Sequence, residues 1–409
     1  MAPFAPHPYL LVNQIQPYAW GTRGQDAFIP HLLGIAAESN TPYAELWMGA
    51  HPNASSQVVA DGRQVSLRQL IAQYPREILG ATVAERFSGE MPFLLKVLST
   101  AEALSIQAHP TKEQARLLHA RDPEHYPDDN HKPELAVALD SLTALVGFKP
   151  FPDVLRALER YPELTNFIGA EAVAGARGAQ DTSPQEQRAC LRALYGTLVA
   201  RSVAHADKLI AATGQLAERL SARTAREEER LFLKMRQKYS GADVGLFTIF
   251  LLNLLHLKAG QGLFIKAGIP HAYLKGNIVE CMANSDNVVR AGLTPKFKDV
   301  ETLVDILTYE MGPPPIIEGD ADAAEIVYRT PAPEFQVSRL RMQPGQERAD
   351  STGGGPQILL VTAGEVIISR EKGNAAFQRG QSVLLPAFLG GFGLKAAASA
   401  ELFRVQVPR

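Results

Sequence analysis

Between residues 151 and about 240 the chain changes character, and that change constrains the fold more than any other feature. "FPDVLRALERYPEL" places Pro152 and Asp153 where a first helical turn tolerates them. It then repeats Val154, Leu155 and Leu158 at helical spacing. "QRACLRALYGTLVARSVAHADKLIAATGQLAERLSARTAREEERLFLKMRQKY" is rich in Ala, Leu, Arg and Glu with little proline, which favours helix. Its charged run "RTAREEERLFLKMRQK" reads as a solvated helical face. The flanking sequence is different. Residues 1 to 150 hold short apolar runs broken by Gly, Pro and Asn ("QPYAWG", "AELWMGAHPNASS", "HKPELAVAL"), the punctuation of strands and turns, with helix at "VSLRQLIAQYPREIL". From 241 the strand signature returns, and residues 316–409 alternate apolar and polar positions ("EFQVSRLRM", "QILLVTAGEVIISR", "QSVLLPAF"). The expectation is a mainly β protein with an α-helical insertion. Residues 1–150 and 241–315 form one sheet-built domain, 151–240 the insertion, and 316–409 a small all-β domain. Residues far apart in sequence can then converge on one barrel mouth.

Several function classes are set aside by simple arithmetic. At 409 residues the chain is long enough for two or three domains. A net charge of -2 gives no global field for nucleic acid or an acidic membrane, and no helix-turn-helix signature or basic patch stands out. Cys190 and Cys281 form no CxxC pair, so a disulfide framework is not expected and a reducing cytoplasm is the natural setting. "MAPFAPHPYLL" lacks the basic start and long apolar run of a signal peptide. "VGLFTIFLLNLLHL" is too short to span a bilayer and carries Asn253 and His256, so it reads as buried strand or core.

Three stretches put polar residues in apolar surroundings. In "SIQAHP", an extended backbone places Ser105, Gln107 and His109 on one face. That face is either the wet side of a half-buried strand or a set of ligands. In "DNHKPELAVAL", His131, Lys132 and Glu134 precede an apolar run, with Lys132 and Glu134 sharing a face. In "KAGIPHAYLKGNIVECMANSDNVVRAGLTPK", Gly268 and Pro270 shape a turn that presents His271, followed by Glu280, Asp286, Arg290 and Lys296. Two histidines, one carboxylate and one amide oxygen make a borderline-hard site suited to Zn²⁺, Co²⁺ or Mn²⁺. An amide is a weak ligand and leaves the metal electrophilic, as a Lewis acid needs. His119, His125 and His205 read as surface residues, and His256 as a satisfied strand or core histidine.

These motifs, with "FLLKVLSTAEALSIQAHPTKEQA" and the late "YRTPAPEFQV", occur from about residue 16 to the C-terminus in an order that resembles the type I mannose-6-phosphate isomerase family. The resemblance implies a zinc-dependent aldose–ketose isomerase interconverting mannose 6-phosphate and fructose 6-phosphate, with one Zn²⁺ per chain. It implies two cupin-type jelly rolls plus a helical domain, "GIPH" resembling the second cupin motif. It places the zinc ligands on Gln107, His109, Glu134 and His271, and an active-site arginine on Arg290. Lys132, Glu280 and Lys296 match polar positions of the same pocket; Ser105 and Lys96 lie near the substrate's phosphate end.

Isomerisation through a cis-enediol needs a base, and Glu280, His131, Lys132 and Asp286 are the candidates, unranked. The phosphate needs an anchor: Arg290 offers a fork, Lys96 and Lys296 point charges, Ser105 a hydroxyl. No Gly-rich phosphate loop occurs. The expected protein is a cytoplasmic monomer acting on a small sugar phosphate. The alternative is a non-catalytic metal-binding cupin that senses sugar phosphates. No candidate ligand falls in 316–409, so that segment is expected to contribute packing rather than chemistry.

Overall fold

The structure is a computed structural model and describes residues 4–60, 62–221, 226–239, 241–319, 323–371 and 373–408. Its largest sheet runs in the order Ile316–Ile317, Gly262–Ile265, Glu134–Phe148, His271–Ala283, Phe93–Thr100, Glu45–Met48, Gln14–Gln16. Leu252–Lys258 joins it through Glu134–Phe148, and Ile106–Ala108 bridges His271–Ala283 to Val289–Gly292. Every residue of Phe93–Thr100 is buried, as expected of a near-continuous apolar strand covered on both faces. Lys96 in its middle is therefore a buried cation. At Gly276 (φ 135°) a Cβ would lie 2.0 Å from the Ser141 carbonyl oxygen, so only glycine fits where the long strand bulges against its neighbour.

The helical block forms as its composition predicts. Phe151–Arg160 stops before Pro162, which opens Pro162–Ile168. Ser183 and Glu186 make a capping box with Pro184 at the first helical position of Pro184–Ala204. Ala206–Ser221 and Glu227–Tyr239 follow. The block shares one core with the sheet: Leu194, Leu198, Leu209 and Phe232 pack in the same cluster as Ile106, Ala108 and Phe250. Two details differ from the sequence reading. The charged run is not wholly solvated: Glu229 is fully buried, accepting from the Tyr161 hydroxyl at 3.1 Å and the Arg226 backbone N–H at 2.7 Å. And "VGLFTIFLLNLLHL" opens with a short buried helix, Gly245–Thr248, before its strand, on which His256 is exposed and faces Glu227 at 3.0 Å.

In the last segment a six-stranded sheet, in the order Tyr9–Leu11, Ser382–Leu385, Gln357–Ala363, Ala400–Gln406, Gln336–Met342, Glu325–Tyr328, faces a four-stranded one. Leu340, Val361, Ile368, Leu394 and Leu402 fill the space between. A second apolar cluster joins Tyr328, Phe335, Ile358 and Phe403 to Leu46, Phe93, Leu135 and Val279 of the large sheet. Tyr9–Leu11 pairs with Ser382–Leu385, so the start of the chain lies across the boundary expected at 315. Among the described residues no helix is long and apolar enough to cross a membrane.

Candidate metal centre and active site

Ile106–Ala108 explains the polar face of "SIQAHP". Ile106 and Ala108 point into the core shared with the helices, which leaves Ser105, Gln107 and His109 on the other face. Gln107 is flanked by His271 on one neighbouring strand and Arg290 on the other, and its Oε1 accepts from the Ser105 hydroxyl at 3.2 Å. His271 begins its strand directly after the Gly268 turn. There φ is 74°, and a Cβ would sit 2.6 Å from the Ile306 carbonyl oxygen.

His109, Glu134 and His271 converge, their ligand atoms all within 4.8 Å of one another and all three residues about 1 % exposed. His109 Nε2 lies 3.2 Å from Glu134 Oε1, and His271 Nε2 lies 3.3 Å from Glu134 Oε2. His109 Nδ1 donates to the Asn287 carbonyl at 2.8 Å and His271 Nδ1 to the Ile269 carbonyl at 3.0 Å. A carbonyl only accepts, so both rings donate from Nδ1 and turn Nε2 inward. Burial, opposed by Glu134, holds His109 down at about 4, so its ring is neutral. Both Nε2 atoms thus face carboxylate oxygens, and among the described residues His109 Nε2, His271 Nε2 and Glu134 Oε2 are buried without a hydrogen-bond partner. Such an arrangement is repulsive unless a cation lies between the atoms. The residues fit a metal, and the two-imidazole, one-carboxylate donor set suits a borderline divalent ion.

Around this centre the charges are paired. Lys132 Nζ is 2.9 Å from Glu134 Oε1. Burial alone would raise the Glu134 carboxyl, but opposite charge, led by the Lys132 ammonium, holds it well below its usual range. Lys96 lies 3.3 Å from Glu45, 3.7 Å from Glu280 and 4.6 Å from the Trp47 ring centroid. Burial would lower its ammonium, yet Glu45 and Glu280 raise it above the ordinary range. Glu280 is pushed up to about 7 by burial and by Glu134, with Lys96 and Lys132 opposing.

The remaining candidates take different places. Asp286 accepts from Asn53 Nδ2 at 2.7 Å and lies 3.4 Å from the buried His51 imidazole. Burial would raise it, but His51 draws it below its ordinary value. It lines a groove of about 990 Å³ with His51, Asn53 and Ser285. Asp128 ties this corner down, accepting from the Asp286 backbone N–H at 2.7 Å and the Ser285 hydroxyl at 2.8 Å. Arg290 is half-buried beside Gln107, and Lys296 is exposed. His131 is not brought to the cluster: its Nε2 lies 2.7 Å from Glu334 of the last segment. The alternation that joins Lys132 to Glu134 sends His131 to the opposite side. Sequence reasoning missed Glu45, Trp47 and His51. Trp47 Nε1 donates to Glu45 at 2.6 Å, and His51 packs edge-on against Trp47. A signal was present for His51 alone: "AHP" at 50–52 repeats the "AHP" that presents His109.

Comparison with known proteins follows the same lines. A family model described as "Phosphomannose isomerase type I, catalytic domain" matches residues 9–151. The mannose-6-phosphate isomerase of Schizosaccharomyces pombe is 37% identical over 90% of this chain and 92% of its own, and that of Homo sapiens 38% identical over 89% of each. A crystal structure of a phosphomannose isomerase mutant from Salmonella typhimurium superposes with a TM-score of 0.85 at 32% identity, covering 98% of this chain and 99% of that one. A mannose 6-phosphate isomerase bound with zinc and yttrium gives 0.84 at 32% identity, over 98% of this chain and 100% of that one.

Proposed function

Because this chain belongs to the type I mannose-6-phosphate isomerase family, we propose that it interconverts mannose 6-phosphate and fructose 6-phosphate as a zinc-dependent aldose–ketose isomerase, through a cis-enediol. The observation that carries the reading is the buried His109–Glu134–His271 cluster, in which His109 Nε2, His271 Nε2 and Glu134 Oε2 have no hydrogen-bond partner among the described residues and could hold a cation. Gln107 completes the ligand set from the adjoining strand, for one zinc per chain. Bound there, zinc supplies Lewis-acid polarisation of the sugar's carbonyl.

The chain's own groups do the rest. Glu280 is the base that moves the proton between C2 and C1. Burial raises its carboxyl above the ordinary carboxylate range, which makes it a stronger base than an exposed glutamate. Lys96 holds that carboxylate in place from 3.7 Å. Lys132, locked on Glu134, offers an ammonium to the sugar oxygens. Asp286 with His51 supplies the second acid–base pair needed to open the ring. His131, held by Glu334, is removed from the set of bases. Arg290 presents its fork to charge developing on the enediolate, and Lys296 and Ser105 receive the phosphate. The catalytic unit is 1–150 with 241–315, and the protein works as a cytoplasmic monomer.

The test is turnover of mannose 6-phosphate to fructose 6-phosphate before and after dialysis against chelator. The reading expects activity to vanish and to return with Zn²⁺. Full turnover by metal-free protein, or none by zinc-loaded protein, overturns it.

A further inference from the structure

Among the described residues the Arg290 guanidinium makes no hydrogen bond or ion pair, and burial alone shifts it. The place from which it reaches into the site is therefore set by its backbone. On one side that backbone is fixed by pairing with Gln107. On the other, the chain turns at once, and the turn is held by Asp243, 4 % exposed, at the exit of the helical block. Asp243 Oδ1 accepts from the backbone N–H of Leu293 at 2.7 Å and of Gly245 at 2.7 Å. Oδ2 accepts from the Thr294 N–H at 3.2 Å and faces Lys298 Nζ at 3.4 Å. Leu293 has φ 53°, a left-handed conformation that costs a leucine roughly 1–2 kcal/mol and persists only where it is held. Thr294 Oγ1 in turn accepts from the Lys296 N–H at 3.1 Å. The contact is close: a Cβ on Gly245 would sit 2.6 Å from the Leu293 nitrogen.

We propose that Asp243 is a positioning residue for the isomerisation. It locks the turn from Leu293 to Lys296, and so aims Arg290 and the Lys296 ammonium at the substrate. The exit of the helical insertion thereby becomes part of the active-site scaffold. The inference rests on the role given above to Arg290, and the experiment separates the two.

Asp243→Asn keeps the shape and one acceptor oxygen but turns an amide N–H toward Thr294 and Lys298. It should lower kcat/KM by at least about tenfold, as a small misplacement of a catalytic group does, with zinc content unchanged. In an Arg290→Ala background the same substitution should cost several-fold less than in the wild type, because coupled residues are non-additive and only its effect through Lys296 remains. Gly245→Ala, which wedges the turn without removing an acceptor, should behave alike and serves if Asp243→Asn does not fold. Wild-type kinetics for both Asp243→Asn and Gly245→Ala, or losses that simply add to that of Arg290→Ala, overturn the inference and leave Arg290's role standing. Wild-type kinetics for Arg290→Ala alone overturn that role and this inference together.

Discussion

Glu280→Gln should stabilise the protein while disabling it. The carboxyl is 3 % exposed and its folded pKa, about 7, lies above the ordinary 4.5 because burial and Glu134 disfavour its charge. The sign follows from that order. Below pH 4.5 the group is protonated in both folded and unfolded chains and contributes nothing. As pH rises toward 7 the unfolded chain ionises freely while the folded one resists, so stability is lost. A displacement of that size corresponds to about 3 kcal/mol. Glutamine is a neutral isostere and carries no such penalty, and Lys96 keeps Glu45 at 3.3 Å. The stability difference between variant and wild type should therefore swing toward the variant by about 3 kcal/mol between pH 4.5 and 8.5. The assay is urea unfolding of metal-free protein at both pH values, since a dication beside Glu134 would itself draw the Glu280 pKa down. Turnover of the zinc-loaded variant should fall at least about a hundredfold, the range for a lost general base. A variant no more favoured at pH 8.5 than at 4.5 refutes the burial argument, and one with wild-type turnover refutes the base.

Three further outcomes are expected. His271→Ala removes one of the inward Nε2 atoms, so zinc content and turnover should both collapse while circular dichroism keeps the folded spectrum; stoichiometric zinc with normal turnover would dismiss the ligand assignment. Arg290→Ala should lower kcat by at least about a hundredfold, about 2.7 kcal/mol, and Arg290→Lys should recover little because a point charge cannot replace the fork. A rise in KM alone would make Arg290 a phosphate clamp. In the last segment Arg370→Ala, whose side chain donates to the Pro6 carbonyl, should leave turnover unchanged, whereas Glu334→Ala should cost about 1–3 kcal/mol in a denaturant titration, as expected when a part-buried His131 loses its carboxylate partner. Equal stability of the two variants would remove the distinction.

The fold's outline was legible because period and composition change where structure changes. The helices begin at Phe151 beside Pro152, and the late alternating runs are strands at Gln336–Met342, Gln357–Ala363 and Ser382–Leu385. Pairings between distant segments were not legible. Nothing local in Tyr9–Leu11 names Ser382–Leu385 as its partner, because strand pairing depends on packing and register rather than on either strand alone. At the site, two-residue alternation brought Gln107 with His109 and Lys132 with Glu134. Applied one position earlier it also excludes His131, whose inclusion came from residue type alone. Glu45, Trp47 and His51 escaped because a Glu or Trp inside an apolar run has an ordinary structural reading. Only the buried ammonium of Lys96 across the strand makes them a charged cluster. Asp243 gives no sequence signal at all, since its work is to accept backbone N–H groups.

The pairing of Tyr9–Leu11 with Ser382–Leu385 also sets a clock on biosynthesis. The edge strand leaves the ribosome about 370 residues ahead of its partner. At ordinary elongation rates of about 5–20 residues per second it waits roughly 20–75 s with its hydrogen-bonding edge bare. The large sheet and the helices can collapse in that interval, but the apolar side that receives Tyr328, Phe335 and Phe403 stays uncovered until the last strands arrive. A nascent chain stalled before residue 382 is thus a sticky intermediate with a free strand edge, the kind of species that holdase chaperones bind, and the segment from Ser382 onward acts as the latch that ends its exposure.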